Sequence, residues 1–362
     1  MKEHSSEPGE QEGAGRVTIG LDLGDRTSRY CVVDSQGAVA IEGSSVATKE
    51  STMRAAFEGF SGSRMAMEVG THSPWVSRLL QQGGHEVVVA NARRVRLITD
   101  SSRKNDRLDA RTLARLARID PELLSPIRHR SAEAQRHLMV IRARAALVGA
   151  RTKLVNAARG LVKAAGRRLQ RCSVERMNAA AARQLDDQLA LALCPLLKAV
   201  ESLHEQIRHY DVQIRELARQ HYPEVARLEQ VSGVGTLIGL TYVLTIEDAG
   251  RFERSRDVGC YLGLRPRQRQ SGDRSPELGI SKEGDRYLRT LLVQGAQYIL
   301  GPFGPDTDLR RWGLRLAARG GKNAKKRAVV AVARKLAILL HRLWVSGQPY
   351  QPLRHPAITP AA

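Results

Sequence analysis

The stretch "RVTIGLDLG" (residues 16–24) decides the fold. Val17, Ile19, Leu21 and Leu23 alternate with Thr18, Gly20 and Asp22, and a period of two sorts residues into faces only on an extended strand. One face is apolar. The other carries a glycine and, two residues on, a carboxylate. "SRYCVVD" and "AVAIEG" follow at hairpin distance, with "SQG" as the turn. "TKESTMRAAFEGF" then reads as a helix and "SRMAMEVG" as a strand. "SPWVSRLLQQGG" reads as a helix with a Ser N-cap and a Gly stop, "HEVVVAN" as a strand, and "ARRVRLI" and "DRLDARTLARLARI" as helices. The order β-β-β-α-β-α-β-α predicts a three-strand meander followed by alternating strands and helices, an α/β domain over residues 16–125.

The chain has 362 residues, too many for one core, so two or three domains are expected. Its formal charge is +21, more than solubility needs, which points to a polyanionic partner. No apolar run of about 18 residues is present to span a bilayer, so no membrane role is expected. "MKEHSSEPGEQEGAGR" lacks the apolar stretch of a signal peptide, and residues 1–15 read as a disordered leader. The four cysteines are scattered with no CxxC pair, which argues against a zinc site or disulfide framework and suits a reducing cytoplasm. Aromatic residues make up 4%, so Arg and Lys contacts to phosphate are expected to outweigh base stacking.

Residues 126–222 read as wholly helical and strongly basic up to about residue 183. Leu189, Leu193, Leu196, Val200, Leu203, Ile207, Tyr210, Ile214 and Leu217 recur in alternating steps of four and three, the heptad signature of a coiled-coil seam. That predicts self-association, against the alternative of a helix packed within its own domain. Pro195 is expected in the first turn of this helix. Residues 223–348 form a third, mainly helical region. In it, "LEQVSGVGTLIGL" sets Gly233 and Gly235 between two apolar patterns, as in a helix-hairpin-helix whose turn offers N–H groups to phosphate. A plain packing turn fits that string too. The helix from "GKNAKKRAVV" onward reads as core rather than membrane-surface. Residues 349–362 are Pro-rich and read as an extended tail.

Four carboxylates stand out. Asp22 shares its strand face with Gly20, and Glu68 shares its face with Ala66. The small residue two positions earlier leaves room above the sheet for a metal or phosphate. Asp106 and Asp109, three apart, share a face at a helix start. Singly, each has a bland role as a turn cap or an N-terminal helix acid. Together, in so basic a chain, they suit divalent cations that clamp the oxygens of a phosphodiester. His72 and Lys104 lie nearby in sequence and read as supporting or surface residues.

A second cluster is "RPRQRQSGDRSPELGISKEGD" (residues 265–285), almost free of apolar residues. Arg265, Arg267, Arg269 and Arg274 surround Ser271, with Lys282 and Arg286 beyond. Clustered guanidiniums can hold a phosphate and stabilise charge in its transition state. No adjacent histidine offers a base to a serine, which needs activation to act as a nucleophile. On chemistry alone, a nucleophile loop and a phosphate-binding loop remain equally open.

The strings "IGLDLG", "MEVGTHS" and "KNDRLDARTLARL" resemble the DEDD motifs of the RuvC-like, RNase H-fold domain of insertion-sequence transposases of the IS-one-ten family. The segment from "VSGVGTL" to "RTLLVQGAQ" resembles that family's second domain, in which a serine after a "GL-x-PR" segment and before a glycine is the nucleophile. The resemblance runs from about residue 16 to 348. It implies that Asp22, Glu68, Asp106 and Asp109 bind Mg2+ and that Ser271 forms a covalent link to DNA. It also implies donor and target DNA and a non-coding bridge RNA as partners, and a homo-oligomer, dimer or tetramer, in which one protomer's acids meet another's serine. Ser275 and Ser281 compete for the nucleophile position, although Ser281 reads as ordering the next helix. The rival readings are a metal-dependent, junction-resolvase-like nuclease and a non-catalytic nucleic-acid scaffold.

Overall fold

β1 (Thr18–Asp22) is the middle strand of a five-stranded sheet. β2 (Thr27–Val33) and β3 (Val39–Ala47) complete an antiparallel meander with it. After α1 (Glu50–Glu58), β4 (Arg64–Glu68) returns parallel to β1 on its other side. α2 (Ser73–Gln82) then leads to β5 (Glu86–Ala90), parallel to β4. The spatial order is β3-β2-β1-β4-β5. The computed structural model describes residues 16–91, 106–268 and 277–354. The leader and "ARRVRLI" lie outside them.

The period-two pattern gives the sheet two unlike faces. Ile19, Leu21, Met65 and Met67 pack with Met53 and Phe57 of α1 and with Val76, Leu79 and Leu80 of α2. The opposite face is lined with small side chains. Gly20 lies beside Cys31 and Ala66 in register, and Ala66 beside Val88. α3 (Asp106–Ile119) lies on that face through Ala110, Leu113, Ala114 and Ala117. A Cβ on Gly20 would stand 1.9 Å from the Ala110 carbonyl oxygen and 2.6 Å from the Ala114 nitrogen. The space above Gly20, expected to admit a metal or phosphate, is therefore filled by the α3 backbone.

The chain divides into two compact units, Met1–Ala132 and Glu133–Ala362. The second is built on α4 (Ala132–Ala164) and α5 (Asp187–His221). Ile141 and Ile214 share one core, Val155 and Leu197 share another, and Arg144 pairs with Asp211 at 2.6 Å. The two helices therefore run antiparallel, side by side. Leu193 and Val200 of the heptad seam are buried in the cluster that holds Val155, Ala158 and Val162. The seam thus has a partner inside its own chain, which is the alternative that the spacing left second.

Pro195 is not in the first turn of α5, which begins eight residues earlier with the Asp186 carboxylate accepting from the Leu189 N–H at 3.0 Å. A proline two turns into the helix removes one donor. The carbonyl it would have served belongs to Leu191, whose side chain is 79% exposed, so water can satisfy it.

α6 (Glu224–Leu228), α7 (Thr236–Ile246) and α8 (Ser255–Tyr261) follow. β6 (Pro266–Gln268) and β7 (Glu277–Ile280) form a two-stranded sheet. α9 (Arg286–Leu300), α10 (Asp308–Ala318) and α11 (Ala324–Ser346) complete the unit. Leu138 of α4 and Ile214 of α5 join Leu228, Leu240, Tyr242, Leu292 and Leu340 in one core, so the helical middle and the third region are not separate bodies. The "SGVG" turn joins α6 to α7. Gly233 sits at φ +86, where a Cβ would be 2.9 Å from the Gly295 carbonyl oxygen. Its tightness serves packing on α9. α11 is a core helix, with Val332, Leu336 and Leu340 fully buried.

Candidate functional site

Asp22 and Glu68 end β1 and β4, one residue past the paired Leu21 and Met67. Adjacent parallel strands lie about 4.8 Å apart, so both carboxylates leave the same face of the same sheet edge. α3 supplies the other acids by its direction. Arg64, at the start of β4, donates to the Ala117 carbonyl near the C-terminal end of α3 at 3.0 Å, and Gly20, in mid-strand, meets Ala110. The N-terminus of α3 therefore points to the strand ends that carry Asp22 and Glu68. Asp109 is half-buried there, one turn before Leu113. Asp106 opens the helix, and its side chain lies outside the described residues.

The loops beyond the two strands are braced. The Gly24 carbonyl accepts from Thr48 Oγ1 at 2.9 Å, and Thr48 Oγ1 meets Ser28 Oγ at 2.8 Å. After Glu68, the Ser73 hydroxyl accepts from the Gly70 N–H and contacts His129 Nε2, both at 2.9 Å. Ser73 therefore ties the turn; it is not the N-cap of α2, which falls at His72. Trp75 Nε1–H donates to His72 Nδ1 at 3.1 Å, which leaves the ring proton on Nε2, facing Asp25 at 3.5 Å. Lys104 lies outside the described residues.

These oxygens fit a hard divalent cation by donor chemistry. Among the described residues, no group of three or more His, Cys, Asp and Glu is set to hold a metal. Asp106, three residues before Asp109, has its side chain outside the described residues.

The basic segment lies in the second unit. β6 and β7 pair antiparallel, Pro266 with Ile280 and Gln268 with Glu277. They are the arms of a hairpin, not a plain loop. Ser271, Arg269 and Arg274, between the two strands in sequence, lie outside the described residues. Arg265, just before β6, and Arg267 within it are exposed, as are Lys282 and Arg286. The base is held rigidly. A Cβ on Gly284 would be 2.1 Å from the Tyr261 carbonyl oxygen, and one on Gly263 would be 2.3 Å from the Glu283 backbone. Arg289 is buried at this base and donates to the carbonyls of Leu262 at 3.0 Å and Glu283 at 2.7 Å. Arg289 stands between Leu288 and Leu292 on an otherwise apolar stretch of α9, which is the sign in the sequence that this arginine is buried. The cap of α9 is Asp285, which accepts from the Leu288 N–H at 2.8 Å and pairs with Arg142. Ser281 orders only the preceding turn, facing the Glu283 N–H at 3.5 Å.

An acid-edged mixed sheet and an arginine hairpin, in a chain of this charge, belong to a protein that handles nucleic-acid phosphates. Residues 19–166 match the transposase family DEDD_Tnp_IS110, and residues 225–307 match the family described as "Transposase IS116/IS110/IS902 family". The chain is 32% identical over 266 residues to the transposase for insertion sequence element IS1111A of Coxiella burnetii, covering 69% of each chain. It is 30% identical over 345 residues to a probable family 20 transposase of Pseudomonas aeruginosa, covering 92% of this chain and 98% of the relative. Against the transposase for IS1328 of Yersinia enterocolitica it is 30% identical over 241 residues, 64% of this chain and 70% of that one. The class is insertion-sequence transposase. Within it, this chain belongs to the IS110 family.

Proposed function

We propose that this transposase cuts and exchanges DNA strands through a covalent serine–DNA intermediate on Ser271, with Asp22, Glu68, Asp106 and Asp109 holding Mg2+. The observation that carries the reading is the convergence of the Asp22 and Glu68 strand ends with the N-terminus of α3. One acid on the first strand, one on a later strand and two on a helix, around a sheet ordered β3-β2-β1-β4-β5, support an RNase H-like identity for the first unit.

In this reading the Ser271 hydroxyl attacks a phosphodiester. An O–P bond forms to the serine as the bond to the leaving nucleoside oxygen breaks. The serine proton passes to a base and the leaving oxygen takes one up, so bond energy is kept for rejoining. Arg265, Arg267, Arg269 and Arg274 steady the phosphate, with Lys282 and Arg286 at the hairpin base. Bound Mg2+ would supply positive charge beside the reacting oxygens. A bridge RNA that pairs with donor and target would leave the protein to read backbone and shape, consistent with a basic chain of few aromatics. Assembly of protomers would let the acids of one copy serve the hairpin of another.

Incubation of protein, RNA and DNA with Mg2+ tests this by a protein–DNA adduct that survives denaturation. Ser271→Ala should abolish the adduct, and Asp22→Ala should abolish it while DNA binding persists. An adduct unchanged by Ser271→Ala refutes the nucleophile. Cleavage without any adduct, lost in Asp22→Ala, identifies a nuclease, and binding alone identifies a scaffold.

A further inference from the structure

The second unit holds a cavity of about 740 Å³ that no step above uses. α10 contributes Leu309, Trp312 and Arg315; α11 contributes Lys335, Leu339 and Arg342. The third wall is the segment after α11, including Tyr350 and Pro352. That segment is strapped down. The Asp308 N–H donates to the Pro352 carbonyl at 2.9 Å, the Arg354 N–H donates to Asp308 Oδ2 at 2.8 Å, and the Tyr350 N–H donates to Gln230 Oε1 at 2.8 Å. The cavity is thus formed before any ligand arrives, and its volume lies in the range of small-ligand pockets.

Its chemistry is divided. One side is apolar and aromatic: Leu309, Leu339, Tyr350 and the Trp312 ring. The other is cationic. Lys335 Nζ stands 3.9 Å from the centre of the Trp312 ring. Arg311 is committed to Asp306 at 2.6 Å, but among the described residues Arg315, Lys335 and Arg342 have no carboxylate partner. Burial, then the nearby Arg315 charge, push the Lys335 ammonium below its usual pKa. An anion placed between them would relieve that repulsion.

We propose that this cavity takes one unstacked nucleotide of single-stranded DNA, with the base against the wall of Leu309, Leu339 and Tyr350 beside Trp312 and the flanking phosphate between Arg315, Lys335 and Arg342. A flat apolar wall beside three cations matches a base joined to its phosphate, and a base–aromatic stack is tolerant of sequence. The proposal rests on the reading that the chain exchanges DNA strands, since exchange unpairs bases. It places a strand-holding point on the same unit as the serine hairpin.

The test uses the full-length protein and a six-nucleotide single-stranded DNA carrying 2-aminopurine, with an RNA hexamer and a DNA duplex alongside. The DNA hexamer should quench tryptophan fluorescence. Trp312→Phe should lose that quench and Trp75→Phe should keep it. The double variant Arg315→Gln/Lys335→Gln gives up the Lys335–Trp312 ring contact, so its melting is measured alongside and binding is compared at matched folded fraction. It should bind the hexamer at least about tenfold more weakly, with a salt slope shallower by about 1.4. Equal hexamer affinity in the double variant overturns the proposal, as does a hexamer signal that survives Trp312→Phe, or binding of the RNA hexamer alone. A protein that holds duplex but not hexamer loses only the cavity assignment; one that holds neither loses the strand-exchange reading as well.

Discussion

Gly20→Ala adds one methyl group at the point where α3 rests on the sheet. The new Cβ would lie 1.9 Å from the Ala110 carbonyl oxygen, whereas ordinary contact begins near 3.4 Å. α3 must therefore retreat by on the order of 1.5 Å. The clash is with main chain, so Ala110→Gly cannot relieve it. Overpacking of this kind costs about 1–3 kcal/mol. On the proposed reading the functional cost is larger, because α3 carries Asp106 and Asp109 while Asp22 and Glu68 stay with the sheet. A displacement of about 1 Å at a reacting centre costs roughly a hundredfold in rate. Urea unfolding and the adduct assay, run at matched folded fraction, read the two effects separately. Gly59→Ala is the control, since a Cβ there meets nothing within 4 Å and its φ is −69. If Gly20→Ala is as stable and as active as Gly59→Ala, α3 does not set the spacing of the acids.

Three further outcomes are expected. His85 and His129 have pKa values lowered by burial, His129 also by Arg78 and Arg130, so the unfolded chain takes up protons first. Their stability contribution is complete above about pH 6.5 and is lost as pH falls through the lowered folded values; urea midpoints that stay level from pH 8 to 5 would contradict this. Arg289→Met strands the carbonyls of Leu262 and Glu283 and should cost about 2 kcal/mol, with faster proteolysis of the 265–285 hairpin. Leu193→Ala should cost about 2–5 kcal/mol, with a melting temperature independent of protein concentration, because its partners are in α4; a concentration-dependent loss would return the seam to an interface between copies.

Strand alternation made the first sheet legible, since a period of two admits one assignment of faces. Small residues at Gly20 and Ala66 marked the correct face but not what covers it. Smallness reports that something approaches closely, and a helix backbone satisfies that as well as a ligand does. The heptad spacing of α5 was legible for the same local reason, and its partner was not. A repeat of 3.5 residues states that a helix lies alongside, and nothing in it distinguishes α4 of the same chain from α5 of another. The hairpin arms were hidden altogether. "RPRQ" has no apolar face to alternate, so the pairing of β6 with β7 rests on backbone bonds and on the close approach at Gly263 and Gly284, which composition does not encode.

The charge distribution bears on why the proposed site needs a cation as well as a serine. A chain of +21 attracts DNA. The strand ends at Asp22 and Glu68, with Asp109, carry the opposite charge. A carboxylate and a phosphate repel each other, and at about 4 Å one such pair opposes approach by about 1 kcal/mol in water and several-fold more where water is excluded. On the proposed reading, the arginines between 265 and 274 hold DNA, and the acids oppose the approach of its backbone. A divalent cation there would reverse the local sign. Binding and chemistry should therefore separate on chelation: the chain keeps its grip on DNA and loses the adduct. A loss of both together would place the cation in DNA capture instead of in the reaction.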